Sequence, residues 1–198
     1  ELGVSGINGV EWDAVELPSQ FMENFVWEYD VLAQMSSHEE TGAVLPKELF
    51  DKMHAAKNFQ RGMFLVRQME FALFDMEIYH QEDEVRLKEW PQILDKVRQE
   101  VAGTQPPAYN RFALSFSHIF AGGYSAGYYS YAWAEVLSAD AYAAFEESDD
   151  VAETGRRFWK EVLAVGGSRS AAESFKAFRG REPSLDALLR HSGFDNAA

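Results

Sequence analysis

The feature that most constrains this chain is the pair Gly122-Gly123. In a helix interior each glycine costs roughly 1 kcal/mol relative to alanine, so two in succession end any helical pattern that reaches them. The chain must arrive in one element and leave in another. What leaves carries phenols at Tyr124, Tyr128 and Tyr131, a spacing of i, i+4, i+7 that shares one helix face. The spacing predicts a helix from Tyr124 to about Phe145, with Tyr129, Trp133, Val136, Leu137 and Ala141 on its apolar side. Every hydroxyl taken out of water needs a partner, which favours a polar, ligand-facing surface for the three phenols. Half-buried core tyrosines with their tips in solvent are the alternative.

The other segments also read as helices. Residues 1–12 are glycine-bearing and non-periodic, and a helix follows from Pro18 to about Leu32, with Glu16, Glu23 and Glu28 beside it as ordinary solvated glutamates. Ser36 to Ala43 reads as turn, and Pro46 takes the first position of a helix through Met53 and His54. From Gln60 to His80, Leu65, Met69, Ala72, Leu73, Met76 and Tyr79 predict one long amphipathic helix. Gln81 to Lys88 reads as exposed, Pro91 opens a helix that ends at Gly103, and Gln105-Pro106-Pro107 stops the chain. Arg111 to Phe116 alternates weakly and is expected to be extended. Further helices follow Val151, Ser170 and Pro183, closed by Gly166-Gly167, Gly180 and Gly193. Strands and helices do not alternate, so the expected class is mainly α.

Charge and composition narrow the partners. Thirty-two acidic against 18 basic residues leave a formal charge of -14, which repels nucleic acid and anionic membrane surfaces. No apolar run approaches the roughly 20 residues of a membrane helix, so neither nucleic acid nor membrane is an expected partner. With no cysteine, any metal must be held by His, Asp or Glu. That composition is compatible with the cytoplasm, the compartment expected here.

Few patterns carry chemistry by themselves. Gly166-Gly167-Ser168 has no strand before it to form a phosphate or hydrolase turn. Glu77-x-x-His80 has the spacing of a carboxylate-bridged di-iron ligand pair, but that fold needs the motif twice and Asp51-x-x-His54 is only a partial second copy. A solvated Glu77 and a surface His80 is the competing reading. The phenols suit peptide hydrolysis, because a neutral tyrosine, with a pKa near ~10, can donate to a developing oxyanion without bringing a full charge. His118 would add a second donor. A zinc site of that kind commonly draws two histidines from His-Glu-x-x-His, which is absent here: His38-Glu39-Glu40 is followed by Thr41 and Gly42.

Two separated segments carry a family resemblance. The run from Val15 to Glu28, with Glu16 shortly before Pro18-Ser19-Gln20, resembles the region after the zinc-binding helix in the family of thimet oligopeptidase, neurolysin and oligopeptidase A. Phe116 to Tyr124, together with Tyr128 and Tyr131, resembles that family's glycine-rich substrate loop. Gly166-Gly167-Ser168 and Phe178 to Pro183 resemble its closing segments, so the likeness runs nearly end to end. It implies the helical C-terminal part of a neurolysin-like zincin and an endopeptidase that cleaves short peptides with Zn2+. It further implies that Glu16 is a zinc ligand and that Tyr131 supports the transition-state oxyanion. His118 would assist catalysis, while Gly122, Gly123, Tyr124 and Tyr128 would meet the substrate.

One departure is large. Family members carry His-Glu-Phe-Gly-His just before the region matching Glu1, so residues 1–198 are expected to form a C-terminal portion of the catalytic domain. Two zinc ligands and the general-base glutamate would then belong to a missing N-terminal part of the same polypeptide. The chain alone is expected to be inactive and not to hold zinc tightly. A different class remains beside it, a helical domain that binds a peptide or protein without metal chemistry.

Overall fold

The computed structural model describes residues 3, 4 and 6–194. Eleven α-helices are found among them, and no strand. They are α1 (Leu17–Glu23), α2 (Tyr29–Met35), α3 (Lys47–Ala56), α4 (Arg61–His80), α5 (Asp83–Val101), α6 (Phe112–Ser115), α7 (Ser117–Phe120), α8 (Ser130–Glu146), α9 (Val151–Phe158), α10 (Ala171–Arg179) and α11 (Asp186–His191). The mainly α class expected from the sequence is what the structure has. Two compact units are present, one formed by residues 1–59 and 133–198, the other by residues 60–132.

The first unit is built on aromatic packing. Phe21 of α1 stacks on Phe158 of α9 at 4.1 Å, and Phe158 meets Phe178 of α10 edge-on at 5.2 Å. Leu137, Ala141, Ala144 and Phe145 of α8 complete the cluster. Burying each such side chain contributes roughly 1.5–3 kcal/mol, so this cluster holds the unit. Sequence explains the sharp entry and exit of α10. Ser170 and Glu173 form a reciprocal capping box at its start, and Gly180 at φ 78° ends it in the left-handed conformation. Gly167 is required by close approach: a Cβ there would lie 2.5 Å from the carbonyl carbon of Gly9.

Asp140 of α8 is fully buried in this unit and clasped by cations. Arg181 donates two bonds of 2.6 Å to its two oxygens, Arg179 Nε donates one of 2.9 Å, and the Ser184 N–H one of 2.8 Å. Burial pushes the carboxyl up, but these donors together outweigh burial and hold it below the usual carboxylate range.

The second unit packs Phe74 and Ile78 of α4 on Leu94 of α5, on Ala113 of α6, on Ile119 of α7 and on Phe116 between those two helices. Glu70, also buried on α4, accepts from Arg98 at 2.9 Å and Arg67 at 2.6 Å. Arg98 donates on to Asn110 Oδ1 at 3.0 Å, which ties the proline-rich connection to the helices.

Several local expectations differ from what is found. The helix after Pro18 is broken by a 3-10 turn at Asn24–Trp27 before α2 begins. Pro46 caps α3 from outside it. The charged stretch before Pro91 is largely helical, since α5 begins at Asp83 and carries Pro91 inside it. Arg111 to Phe116 contains a helical turn in place of extended backbone. Along α4, Met69, Leu73 and Met76 are exposed while Glu70, Phe74, Asp75 and Ile78 are buried. The helix is apolar on more than one side, so periodicity alone did not select the packed face.

Candidate functional site

The double glycine does break the chain, and for an identifiable reason. After α7, the N–H groups of Ala121 and Gly122 both donate to the Ser117 carbonyl at 2.7 Å, folding the chain back on the last turn. A Cβ at Gly122 would lie 2.9 Å from His118 Cα and 3.0 Å from its carbonyl oxygen, so only glycine fits. Gly123 follows at φ 84°, a conformation glycine adopts without steric cost.

The tyrosines are not spaced along one helix. Residues 125–129 form turns, and α8 starts at Ser130, so among the three phenols Tyr131 alone is helical. Ala126 at φ 54° interrupts any earlier helix. The rings nevertheless converge. Tyr124 stacks on Tyr131 at 5.0 Å, Tyr128 meets Tyr131 at 5.0 Å, and the His118 ring lies 5.8, 5.6 and 6.0 Å from Tyr124, Tyr128 and Tyr131. Turn and helix together bring the three phenol rings and the His118 ring side by side. His118 is exposed, and Tyr124, Tyr128 and Tyr131 are half-buried.

Polar contacts fix this loop at its base. Tyr79 and Ser125 hydroxyls both donate to the Ile119 carbonyl, the latter at 2.8 Å. Tyr128 donates from its hydroxyl to Gln68 Oε1 at 3.0 Å. Burial raises the Tyr128 phenol, against a smaller opposing effect of the Arg67 charge, so it stays protonated at neutral pH. Asp75, at 0% exposure, reaches the loop from α4: its Oδ1 accepts from the Ala126 N–H at 2.8 Å and its Oδ2 from the Tyr128 N–H at 2.9 Å. Sequence reading missed Asp75. The available signal was its place on the same face as Phe71 and Ile78, which commits a carboxylate to burial and therefore to donors.

Glu16 belongs to the other unit. It is the residue before α1, half-buried, with Pro18 in the first turn of the helix behind it. Ser19 Oγ donates to its carboxylate and lies 3.0 Å from its carbonyl oxygen. A cavity of about 150 Å3 lies alongside, lined mainly by apolar residues such as Val10, Ala14, Leu17, Val162 and Leu163.

Residues 2–194 match the sequence profile of peptidase family M3. The chain belongs to that family. It is 55% identical over 192 residues to oligopeptidase A of Salmonella typhimurium, covering 96% of this chain and 28% of that protein. A protein of Arabidopsis thaliana named "Probable cytosolic oligopeptidase A" is 47% identical over 195 residues, covering 96% of this chain and 28% of the relative. Saccharolysin of Saccharomyces cerevisiae is 37% identical over 201 residues, covering 97% and 27%. The chain therefore spans little more than a quarter of the length of these relatives.

Family M3 membership raises the question of a metal, and the side chains answer it directly. Among the described residues no group of three or more His, Asp or Glu could hold a metal ion, and this includes the surroundings of Glu77 and His80. Held by His, Asp or Glu, a metal would need ligands beyond those that the described residues bring together. No described helix is long and apolar enough to cross a membrane.

Proposed function

We propose that residues 1–198 form the C-terminal portion of the catalytic domain of a zinc-dependent oligopeptidase acting on short peptides. The carrying observation is the convergence of His118, Tyr124, Tyr128 and Tyr131 above a glycine turn, in a chain that matches family M3 along nearly its whole length. Glu16 is one of three zinc ligands in this reading, and the other two, with the general base, belong to the rest of the polypeptide. Zinc, when bound there, supplies a Lewis acid and an activated water. The residues of this chain do the remainder. Tyr131 donates its phenolic hydrogen to the oxygen that gains charge as the peptide carbonyl is attacked. His118 is a second donor at the same centre. Gly122 and Gly123 let the peptide backbone come close, and Tyr124 and Tyr128 offer ring faces and hydroxyls to it. A cytoplasmic location goes with this proposal; of two Arabidopsis relatives, one is named cytosolic and the other chloroplastic/mitochondrial.

Tyr131→Phe in the whole polypeptide tests the central assignment. Loss of one such donor is expected to lower kcat about 100- to 1000-fold with KM changed only a few-fold. A change confined to KM would assign Tyr131 to ordinary substrate binding. The 198-residue chain alone is expected to give no chelator-sensitive peptide hydrolysis, and such turnover would refute the assignment of the missing ligands. The rival, a metal-free peptide-binding domain, would show peptide affinity in the whole polypeptide with no turnover at any zinc concentration.

A further inference from the structure

Asp75 is unusual among the buried acids of this protein. Glu70 on the same helix and Asp140 on α8 accept hydrogen bonds from arginines, whereas the bonds of Asp75 run to main-chain N–H groups of the tyrosine loop. A carboxylate at 0% exposure is costly to bury, and in the middle of α4 it adds nothing to the helix. What it does satisfy is a pair of main-chain donors in one turn of the loop, an arrangement that suits an anion. Its two oxygens take the N–H groups of Ala126 and Tyr128, while the Gly127 N–H between them donates to the Tyr124 carbonyl at 2.8 Å.

We propose that Asp75 is a positioning residue for the peptidase reaction, holding residues 126–128 against α4 and so setting where the first turn of α8 presents Tyr131. This rests on the peptidase reading above. The geometry is specific to a carboxylate. Ala126 sits in the left-handed region that alanine seldom adopts, and the bond from its N–H to Oδ1 holds it there. The Tyr128 N–H is bound by Oδ2, the Tyr131 N–H then donates to the Tyr128 carbonyl, and α8 is under way. Asparagine has a single acceptor oxygen, and its NH2 would face one of the two N–H groups. The effect on Tyr131 passes entirely through the main chain, so Asp75 need not touch a substrate.

The test is Asp75→Asn in the whole polypeptide, with Glu70→Gln as the comparison, a buried acid of α4 whose carboxylate accepts from Arg67 and Arg98. In Asp75→Asn the amides of Ala126 and Tyr128 are expected to exchange with solvent about tenfold faster relative to the α4 amides. Turnover is expected to fall about 100-fold, as displacing a reacting group by roughly 1 Å can do, with KM within threefold. Glu70→Gln is expected to lower the unfolding midpoint while leaving the loop amides and kcat per folded molecule unchanged. If Asp75→Asn does not fold, Asp75→Glu replaces it: both acceptors remain but stand one methylene further out, so the amides stay protected and kcat falls. Unchanged loop-amide exchange in Asp75→Asn, freed amides with unchanged kcat, or wild-type kcat in Asp75→Glu would each overturn the proposal. Should the wild-type polypeptide show no turnover, the peptidase reading fails, and amide exchange still decides whether Asp75 holds the loop.

Discussion

Asp75 and Asp140 are equally buried, each at 0% exposure, and are held in opposite ways. Asp140 is met by two guanidinium groups and one N–H, so its charge is compensated by charge. Asp75 is met by main-chain N–H groups, which carry only partial charge. The consequence is visible in their acidity. Asp140 lies below the usual range for a carboxylate, whereas burial raises Asp75 and its N–H partners offset only part of that rise. Charge compensation suits a permanent clasp between α8 and the segment after α10. Dipole compensation suits a place where main-chain geometry must be set.

That contrast can be broken from the strong side first. Asp140→Ala leaves two arginines facing a buried gap, and is expected to destabilise the protein by about 3–5 kcal/mol. Urea unfolding followed by circular dichroism measures it, and a loss below about 1 kcal/mol would mean that the arginines find other partners, such as Glu147, which already accepts from Arg179 at 2.7 and 2.6 Å. A smaller effect is expected from Gly122→Ala on the side of the tyrosine loop. The added Cβ meets main chain at His118, so the turn must shift at a cost of about 1–3 kcal/mol. Hydrogen exchange should locate that change at residues 121–124, with the Asp140 clasp untouched.

The smallest expected effect is in pH dependence, and its sign separates the two acids. Asp140 has a folded pKa below its unfolded value near ~3.9, so its contribution is present above that value and is lost as pH falls through the folded pKa. Glu146 and Glu147 act in the same direction. Asp75 has a raised folded pKa, so the folded state takes up its proton first and the contribution of this group increases as pH falls from the folded pKa toward the unfolded one. Amide exchange around Ser184 and along α4, followed from pH 7 to 3, is expected to show these opposite slopes. Parallel slopes would remove the distinction.

Much of this architecture was legible in the sequence, and the exceptions share a cause. Helix existence followed from apolar spacing and from punctuation by Gly103, Gly122-Gly123 and Gly180, because those signals are local. The meeting of the tyrosines was anticipated, but by way of a helix that begins only at Ser130. A spacing of i, i+4, i+7 is also compatible with a turn running into a helix, and Ala126 carries no mark in the sequence that it would adopt a positive φ. Asp75 and Asp140 were missed because their partners lie far along the chain. The roles expected of Glu16, His118, Tyr124, Tyr128 and Tyr131 came from resemblance, and the experiments above are what test them.

The tyrosine loop takes its shape from main-chain atoms: the carbonyls of Ser117, His118 and Ile119 accept from it, and Asp75 binds its N–H groups. None of those bonds depends on which side chain stands at position 124. A substitution there would remove the ring that stacks on Tyr131 and leave the turn beneath it in place. A lineage could thereby alter what the loop recognises by one substitution at a time, without first inventing a new fold to carry it.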